Sequence, residues 1–368
     1  MNVLWVPHVS WGFPQRCKAF CRWLAERHSV HVTNVNTYFG FRDYLGLDYV
    51  RGFFYRRWVD DGITVHDIPR FSPALYSRRL RELNNKVFLK HVNRIVREEG
   101  IDCVVGSFMC PPPECENLVL DVCDDHPAFW REMMGREEYA REIGGIQRGY
   151  VGRTDKVVVV GEVLSDRLGF PGARVIPNAV DVDLFSRASG EEVRGRVGAG
   201  KKIIGLFGNH DSSEELSLLI EAAEMVSNPD VVFLVVGRGS AVGKAAAEKS
   251  ARGLDNVVFV GQVPYEQMPE YYKALDVGLC LKRPSVFWDA SCPMKVIEAT
   301  AAGKRVVSTR LKQVVSWGLH NVSYTDFDAK SLADAVEKAL ESGAGGSEKI
   351  RSFDIENLGR EYEGVITA

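Results

Sequence analysis

Short runs of Val, Ile and Leu alternate along this chain with longer stretches in which apolar residues recur every three or four positions. The short runs predict strands at Val3 to Pro7, Ser29 to Asn34, Ile63 to Ile68, Cys103 to Gly106, Leu118 to Val122 and Val157 to Val160. A second series follows at Lys202 to Phe207, Val231 to Val236, Val257 to Val260, Val277 to Leu281 and Arg305 to Thr309. Apolar density without alternation suits strands buried on both faces, as in parallel sheets covered by helices. Gln15 to Arg27 and Arg78 to Glu99 carry the helical period. Two such series predict two doubly wound α/β domains, with a break near Val175 to Phe185, where Pro177 and Asn178 interrupt the pattern. Ligands of open parallel sheets bind beyond the carboxyl ends of the strands. The residues that follow each strand are therefore the candidates for chemistry.

Composition narrows the field. With 45% apolar and 26% charged residues, the 368-residue chain can bury substantial cores and is not disordered. Lys and Arg total 46 against 49 Asp and Glu, a net charge of -3, so no basic excess exists to hold nucleic acid. No run of eighteen apolar residues spans a bilayer. The opening segment, Met1 to Gly12, has no basic start and reads as a first buried strand rather than a signal peptide. Among eight cysteines, Cys17 and Cys21 share a helical spacing, while Cys110, Cys115 and Cys123 form no CxxC pair. Free thiols in a reducing compartment, with no metal site, are the expectation.

The most informative stretch runs from Ser291 through Pro293, Met294, Lys295 and Glu298 to Gly303 and Val307. Pro293 suits the start of a helix and Gly303 its left-handed end. A helix N-terminus attracts phosphate, and Lys295 adds a full charge in the first turn. Glu298, one turn later, can accept from two sugar hydroxyls. Together they would make a nucleotide site, although a plain capped helix with solvated Lys and Glu fits the composition equally well. Gly237-Arg238-Gly239 follows a strand and offers a planar cation, or simply a surface turn. Cys123-Asp124-Asp125-His126-Pro127 follows another strand, as a candidate site or an Asp-capped turn. The loop from Pro7 to Arg16 carries His8, Trp11 and Gly12 but no GxGxxG, which weakens a nicotinamide reading.

These segments, in this order, resemble the retaining group-1, family-4-like branch of the GT-B glycosyltransferases. Val175-Ile176-Pro177-Asn178-Ala179-Val180-Asp181 through Phe185 is similar to that family's entry into its second domain, and Ile204 to Gly208 to its first strand and glycine turn. Asn256 to Tyr265 with Met268 to Leu279, and Pro293 to Ala299, resemble two further family segments. The first half matches more loosely, through Gln15-Arg16 and Asp121 to Asp125.

The resemblance implies a GT-B fold: two Rossmann-like domains facing a cleft, at 1–175 and 176–350, with 351–368 returning as a helix to the first. It implies transfer of a sugar from a nucleotide-sugar donor to an acceptor sugar, glycan or lipid-linked sugar, with retention and without a metal or other cofactor. Donor-binding residues would be Gly12, Gly208, Asn209, Arg238, Val263, Tyr265, Pro293, Met294, Lys295 and Glu298. Asp124, Asp125 and His126, with Lys295, would be catalytic, Asp124 first among them.

Two departures stand out. Ala290 replaces a family Glu eight residues before Glu298, with Asp289 one residue off, and Asn209-His210-Asp211 replaces the usual Arg and Lys after Gly208. An epimerase or sugar phosphorylase using the same cleft, and a non-catalytic partner subunit, remain the alternatives. Lastly, the basic amphipathic segment 70–97, with Arg78, Arg79, Arg81, Lys86, Lys90, Arg94 and Arg97, suits either a solvated helix or contact with an anionic membrane. The expected location is cytoplasmic, including the inner face of that membrane.

Overall fold

The computed structural model describes residues 1–8, 10–11, 16–34, 54–69, 77–108, 111–154, 156–170, 172–343 and 345–368. They form two compact units, Met1–Pro177 with Ile355–Ala368, and Asn178–Asp354.

The first unit holds β1 (Asn2–Val6), β2 (Ser29–Asn34), β3 (Arg56–Asp60), β4 (Ile63–Asp67), β5 (Cys103–Gly106), β6 (Asn117–Val122), β7 (Val157–Val159) and β8 (Arg174–Val175). Their order is β3-β4-β2-β1-β5-β6-β7-β8, and among the described strands only β3 runs antiparallel to its neighbour. β3 lies outside the expected strands because its sequence, Arg-Arg-Trp-Val-Asp, is a mostly exposed edge with no apolar run. It is set by the two-residue turn Asp61-Gly62, where both residues have positive φ, 51° and 76°. Phe88, Val92 and Ile95 of the Arg78–Glu98 helix pack into the core with Leu4, Val6, Val104 and Leu118.

That packing turns most apolar positions of the helix inward, leaving Leu83 as its exposed large hydrophobic residue. Four of its arginines pair with carboxylates: Arg78 with Glu82, Arg81 with Glu142, Arg94 with Glu98 and Arg97 with Glu114. Residues 70–76 of the proposed docking segment lie outside the described residues. Among the described residues no helix is long and apolar enough to cross a membrane.

The second unit is a six-stranded, all-parallel sheet of β9 (Lys202–Phe207), β10 (Val231–Val236), β11 (Val257–Gly261), β12 (Val277–Cys280), β13 (Arg305–Thr309) and β14 (Val322–Thr325). Its order, β11-β10-β9-β12-β13-β14, reverses between β9 and β12, as the first sheet does between β1 and β5. At such a reversal the crossing helices leave in opposite directions and open a crevice at the carboxyl ends of the strands. Leu216, Leu219 and Ile220 of the Ser213–Met225 helix, with Leu332 and Val336 of the Ala329–Glu341 helix, cover the sheet through Ile204, Leu206, Phe233 and Val235.

The closing helix, Ile355–Thr367, belongs to the first unit and stacks Tyr362 on Trp5 at 5.0 Å. The Arg16 guanidinium is buried and grips Asp121 through two nitrogens at 2.9–3.1 Å. Its remaining nitrogen donates to the carbonyls of Ile176 and Pro177, at 2.8 Å each. Arg16 and Asp121, two residues of the looser resemblance, thus fix the chain where it leaves the first unit.

Candidate functional site

Two groups of residues gather at the two sheet reversals. In the second unit, β9 ends in a turn at Gly208, whose φ of +126° is open only to glycine-like backbone. A Cβ built there would lie 3.8 Å from Lys295 Nζ, so the ammonium of the neighbouring helix sits directly over the turn. Gly237, with φ of +134°, lets a second turn press on the first: a Cβ at that position would meet the Gly208 carbonyl at 1.8 Å. Gly208 N–H donates to Val236 O at 3.0 Å, and His210 N–H to Arg238 O at 2.8 Å. The glycines of Gly237-Arg238-Gly239 therefore serve turn packing. Arg238 is exposed and lies near Asp211, whose carboxylate accepts from Ser240 N–H at 2.8 Å and from Asn209 Nδ2 at 2.7 Å. Asn209 and Arg238 are thus tied to the Asp211 turn.

The Met294–Ala301 helix starts one residue later than its sequence suggests, with Pro293 as the residue before the first turn and no side chain capping it. The approach is shaped by Asn178, which donates from Nδ2 to Cys292 O at 2.8 Å. Pro293, Met294 and Lys295 are half-buried, and Glu298 is only 5% exposed. Glu298 Oε1 accepts from the Tyr265 phenol at 2.9 Å, and Tyr272 bonds the same carboxylate. Burial raises the Glu298 carboxyl above its usual range, against the lowering effect of the phenols and Lys295. Val263 and Tyr265, both half-buried, lie in the loop after β11 that delivers this phenol. Asp289 faces elsewhere: it accepts from Lys312 N–H at 3.3 Å and pairs with the Lys312 ammonium.

Lys282 was not among the expected residues. It stands two positions past β12, at the other side of the same reversal, where the rule on strand ends would have found it. Its Nζ donates to buried Glu215 and lies 4.3 Å from the Trp288 ring. Burial, then the Lys295 charge, lowers the Lys282 pKa, and burial and Lys295 likewise lower that of His210. Lys282, Lys295 and His210 are close enough to repel, and Glu215 is their carboxylate counterweight.

In the first unit, Asp124, Asp125 and His126 follow β6. Asp125 is a structural cap: Oδ1 accepts Ala128 N–H at 2.9 Å, and the carboxylate pairs with Arg167. Asp124 is half-buried, and its carboxylate has no hydrogen bond or ion pair among the described residues. Burial, then the Asp125 charge, pushes its pKa up to about 7. His126 is buried between the rings of Phe108 and His8, at 4.1 and 4.5 Å between centroids, and burial holds it neutral. Gly12 lies outside the described residues.

Residues 201–342 match the family model described as glycosyl transferases group 1. Over its full length the chain superposes on sucrose-phosphate synthase from Thermosynechococcus elongatus, with a TM-score of 0.77 at 15% identity and 98% of that chain covered. Anabaena HepE in complex with UDP and glucose follows at a TM-score of 0.69 and 16% identity, both chains fully covered. The chain has the GT-B fold, and its 201–342 segment is similar to the group 1 glycosyl transferases.

Two curated relatives are similar over part of their length. The teichuronic acid biosynthesis glycosyltransferase TuaH of Bacillus subtilis, itself described as putative, is 31% identical over 140 residues, 37% of this chain and 34% of TuaH. The colanic acid biosynthesis glycosyl transferase WcaI of Escherichia coli, described in the same way, is 35% identical over 111 residues, 30% of this chain and 26% of WcaI. The chain thus matches about a third or less of the length of these relatives. The 201–342 segment of this GT-B chain includes Gly208, Tyr265, Lys282, Lys295 and Glu298.

Proposed function

We propose that this protein is a glycosyltransferase that moves a sugar from a nucleotide-sugar donor to an acceptor hydroxyl, with retention at the anomeric carbon. One observation carries the reading: Lys295 lies over the Gly208 turn at the strand reversal, with the Glu298 carboxylate one helical turn deeper. In this proposal the donor diphosphate sits against the uncapped helix start at Pro293 and Met294, with Lys295 and Lys282 as its cations. As the bond to the sugar breaks, negative charge grows on that diphosphate. Fixed cations in a poorly solvated place stabilise it without a metal on the phosphates. The ribose diol donates to Glu298 and displaces the Tyr265 phenol from Oε1. Tyr265 and Val263 then flank the base, while Gly208 allows close backbone approach. Asp124, whose carboxylate has no hydrogen bond or ion pair among the described residues, is assigned to the sugar or acceptor hydroxyl.

The names of TuaH and WcaI, which place them in teichuronic acid and colanic acid biosynthesis, support a growing glycan as acceptor, and a lipid-linked sugar is the other acceptor we propose. A cytoplasmic location fits such an acceptor. Contact with an anionic membrane would be electrostatic, through exposed Arg79, Lys86 and Lys90, because the apolar face of their helix is buried.

The test is a calorimetric titration of UDP-, GDP- and ADP-linked sugars into wild type, Lys295→Ala and Glu298→Ala. Charge-assisted hydrogen bonds contribute about 1.5–3 kcal/mol, so each substitution should weaken one donor by roughly tenfold or more. Donor binding untouched by both substitutions overturns the site. A product formed from donor alone, without acceptor, favours an epimerase, and no binding at all favours a non-catalytic subunit.

A further inference from the structure

The spacing of the cysteines argued against a metal, yet spacing along the chain is blind to ligands brought together by a sheet. His8 stands two residues past β1 and Cys123 one residue past β6, with His126 three further on. β1 and β6 both flank β5, so all three side chains collect at one carboxyl edge of the first sheet. Cys123 Sγ is 3.4 Å from His8 Nδ1 and 3.6 Å from His126 Nε2, and the potential ligand atoms all lie within 4.8 Å of one another. We propose that His8, Cys123 and His126 form a zinc site.

The distances fit the ion. With Zn–S of about 2.3 Å and Zn–N of about 2.0–2.1 Å, tetrahedral angles place sulfur and nitrogen about 3.5 Å apart. One thiolate and two imidazoles are a borderline-soft set that suits zinc and does not suit magnesium or calcium. Cys123 and His126 are buried and His8 is half-buried, so the three ligand atoms are largely shielded from bulk solvent. On binding, the Cys123 S–H bond breaks, its proton leaves to solvent, and the sulfur and two ring nitrogens form the bonds to zinc. The remaining single positive charge is matched by Asp124, the next residue in the chain, whose carboxylate has no hydrogen bond or ion pair among the described residues.

A second histidine group, His31, His66 and Glu99, shows what this arrangement is not. There His31 Nδ1 and His66 Nε2 bond directly at 3.0 Å, and His66 Nδ1 takes the Tyr55 phenol at 2.7 Å. Those nitrogens are already taken up by each other and by the Tyr55 phenol.

The experiment uses the full chain purified without chelators or a metal-affinity tag. Elemental analysis should find stoichiometric zinc. Replacement by Co²⁺ should give a sulfur-to-cobalt charge-transfer band in the near ultraviolet. Cys123→Ser should lose that band, and His8→Ala should weaken zinc retention against a chelator by roughly tenfold or more. Cys115→Ser, outside the cluster, should change neither. Should Cys123→Ser fail to fold by circular dichroism, His8→Ala, at a half-buried residue just past β1, carries the test. Only trace zinc in the wild type with no cobalt band overturns the proposal, as does full zinc retention in a folded Cys123→Ser. Copper bound in place of zinc overturns the choice of ion.

Discussion

In the proposed donor site Glu298 would have to be buried to read a ribose and charged to hold it, and the two demands conflict. Two phenols and the Lys295 ammonium resolve part of the conflict by favouring the carboxylate that burial disfavours. On the proposed reading the Tyr265 phenol stands where a ribose hydroxyl would bond, which leads to a prediction with two signs. Tyr265→Phe leaves Oε1 open and should keep or slightly improve donor binding, whereas Glu298→Gln should weaken it roughly tenfold or more. Calorimetry on both decides: equal losses would mean that the phenol, rather than the carboxylate, holds the donor. The His31–His66 pair gives a pH effect. Burial first, then the charges of His31, Arg57 and Arg94, lowers the His66 pKa from 6.5 to about 4. The unfolded chain takes up that proton near 6.5, and the folded chain does so only near 4. Stability from this group is thus complete above pH 6.5 and declines steadily as the pH falls toward 4. Urea midpoints across this window should fall more steeply in wild type than in His66→Gln.

Close backbone approach, rather than side-chain chemistry, sets where the elements of the site meet. A methyl at Gly237 would strike the Gly208 carbonyl, so Gly237→Ala should separate the β9 and β10 turns and destabilise the second unit by about 1–3 kcal/mol. The same change should abolish donor binding, by thermal melting and titration respectively. Preserved affinity would show that the two turns do not depend on each other. Gly359 plays a matching part in the closing helix, where a Cβ would meet Trp23 at 2.4 Å. These contacts explain what was legible in the sequence. Apolar runs announced the buried strands, and the Pro293-to-Gly303 pattern announced the Met294–Ala301 helix. β3 left no apolar trace, although Asp61-Gly62 was a readable hairpin signal. Asp125 and Asp124 look alike in sequence, and only the positions of Ala128 and Arg167 make one a cap and leave the other available. Lys282 and the His8–Cys123–His126 group depend on sheet order, which no local window contains.

Strands β4-β2-β1-β5-β6-β7 of the first sheet follow the same order as the six strands of the second, yet the proposed donor-site residues lie in Asn178–Asp354, while Asp124 and the proposed zinc ligands lie in Met1–Pro177. Each unit has its own core, so a ligand held by one should stabilise that one first. A ligand that binds only the folded form adds RT ln(1 + [L]/Kd), about 2.7 kcal/mol at a hundredfold excess over Kd. With the nucleoside diphosphate as probe, amide exchange should slow around 208–211, 263–265 and 293–298. It should change little in the strands of the first unit. Lys295→Ala should erase that protection at the same concentration and leave the exchange of β1, β5 and β6 unaltered. Exchange slowed chiefly in the first unit would place the nucleotide on the wrong sheet. The Lys295–Glu298 reading would then fail, while the zinc proposal, which rests on other side chains, would stand or fall on its own measurement.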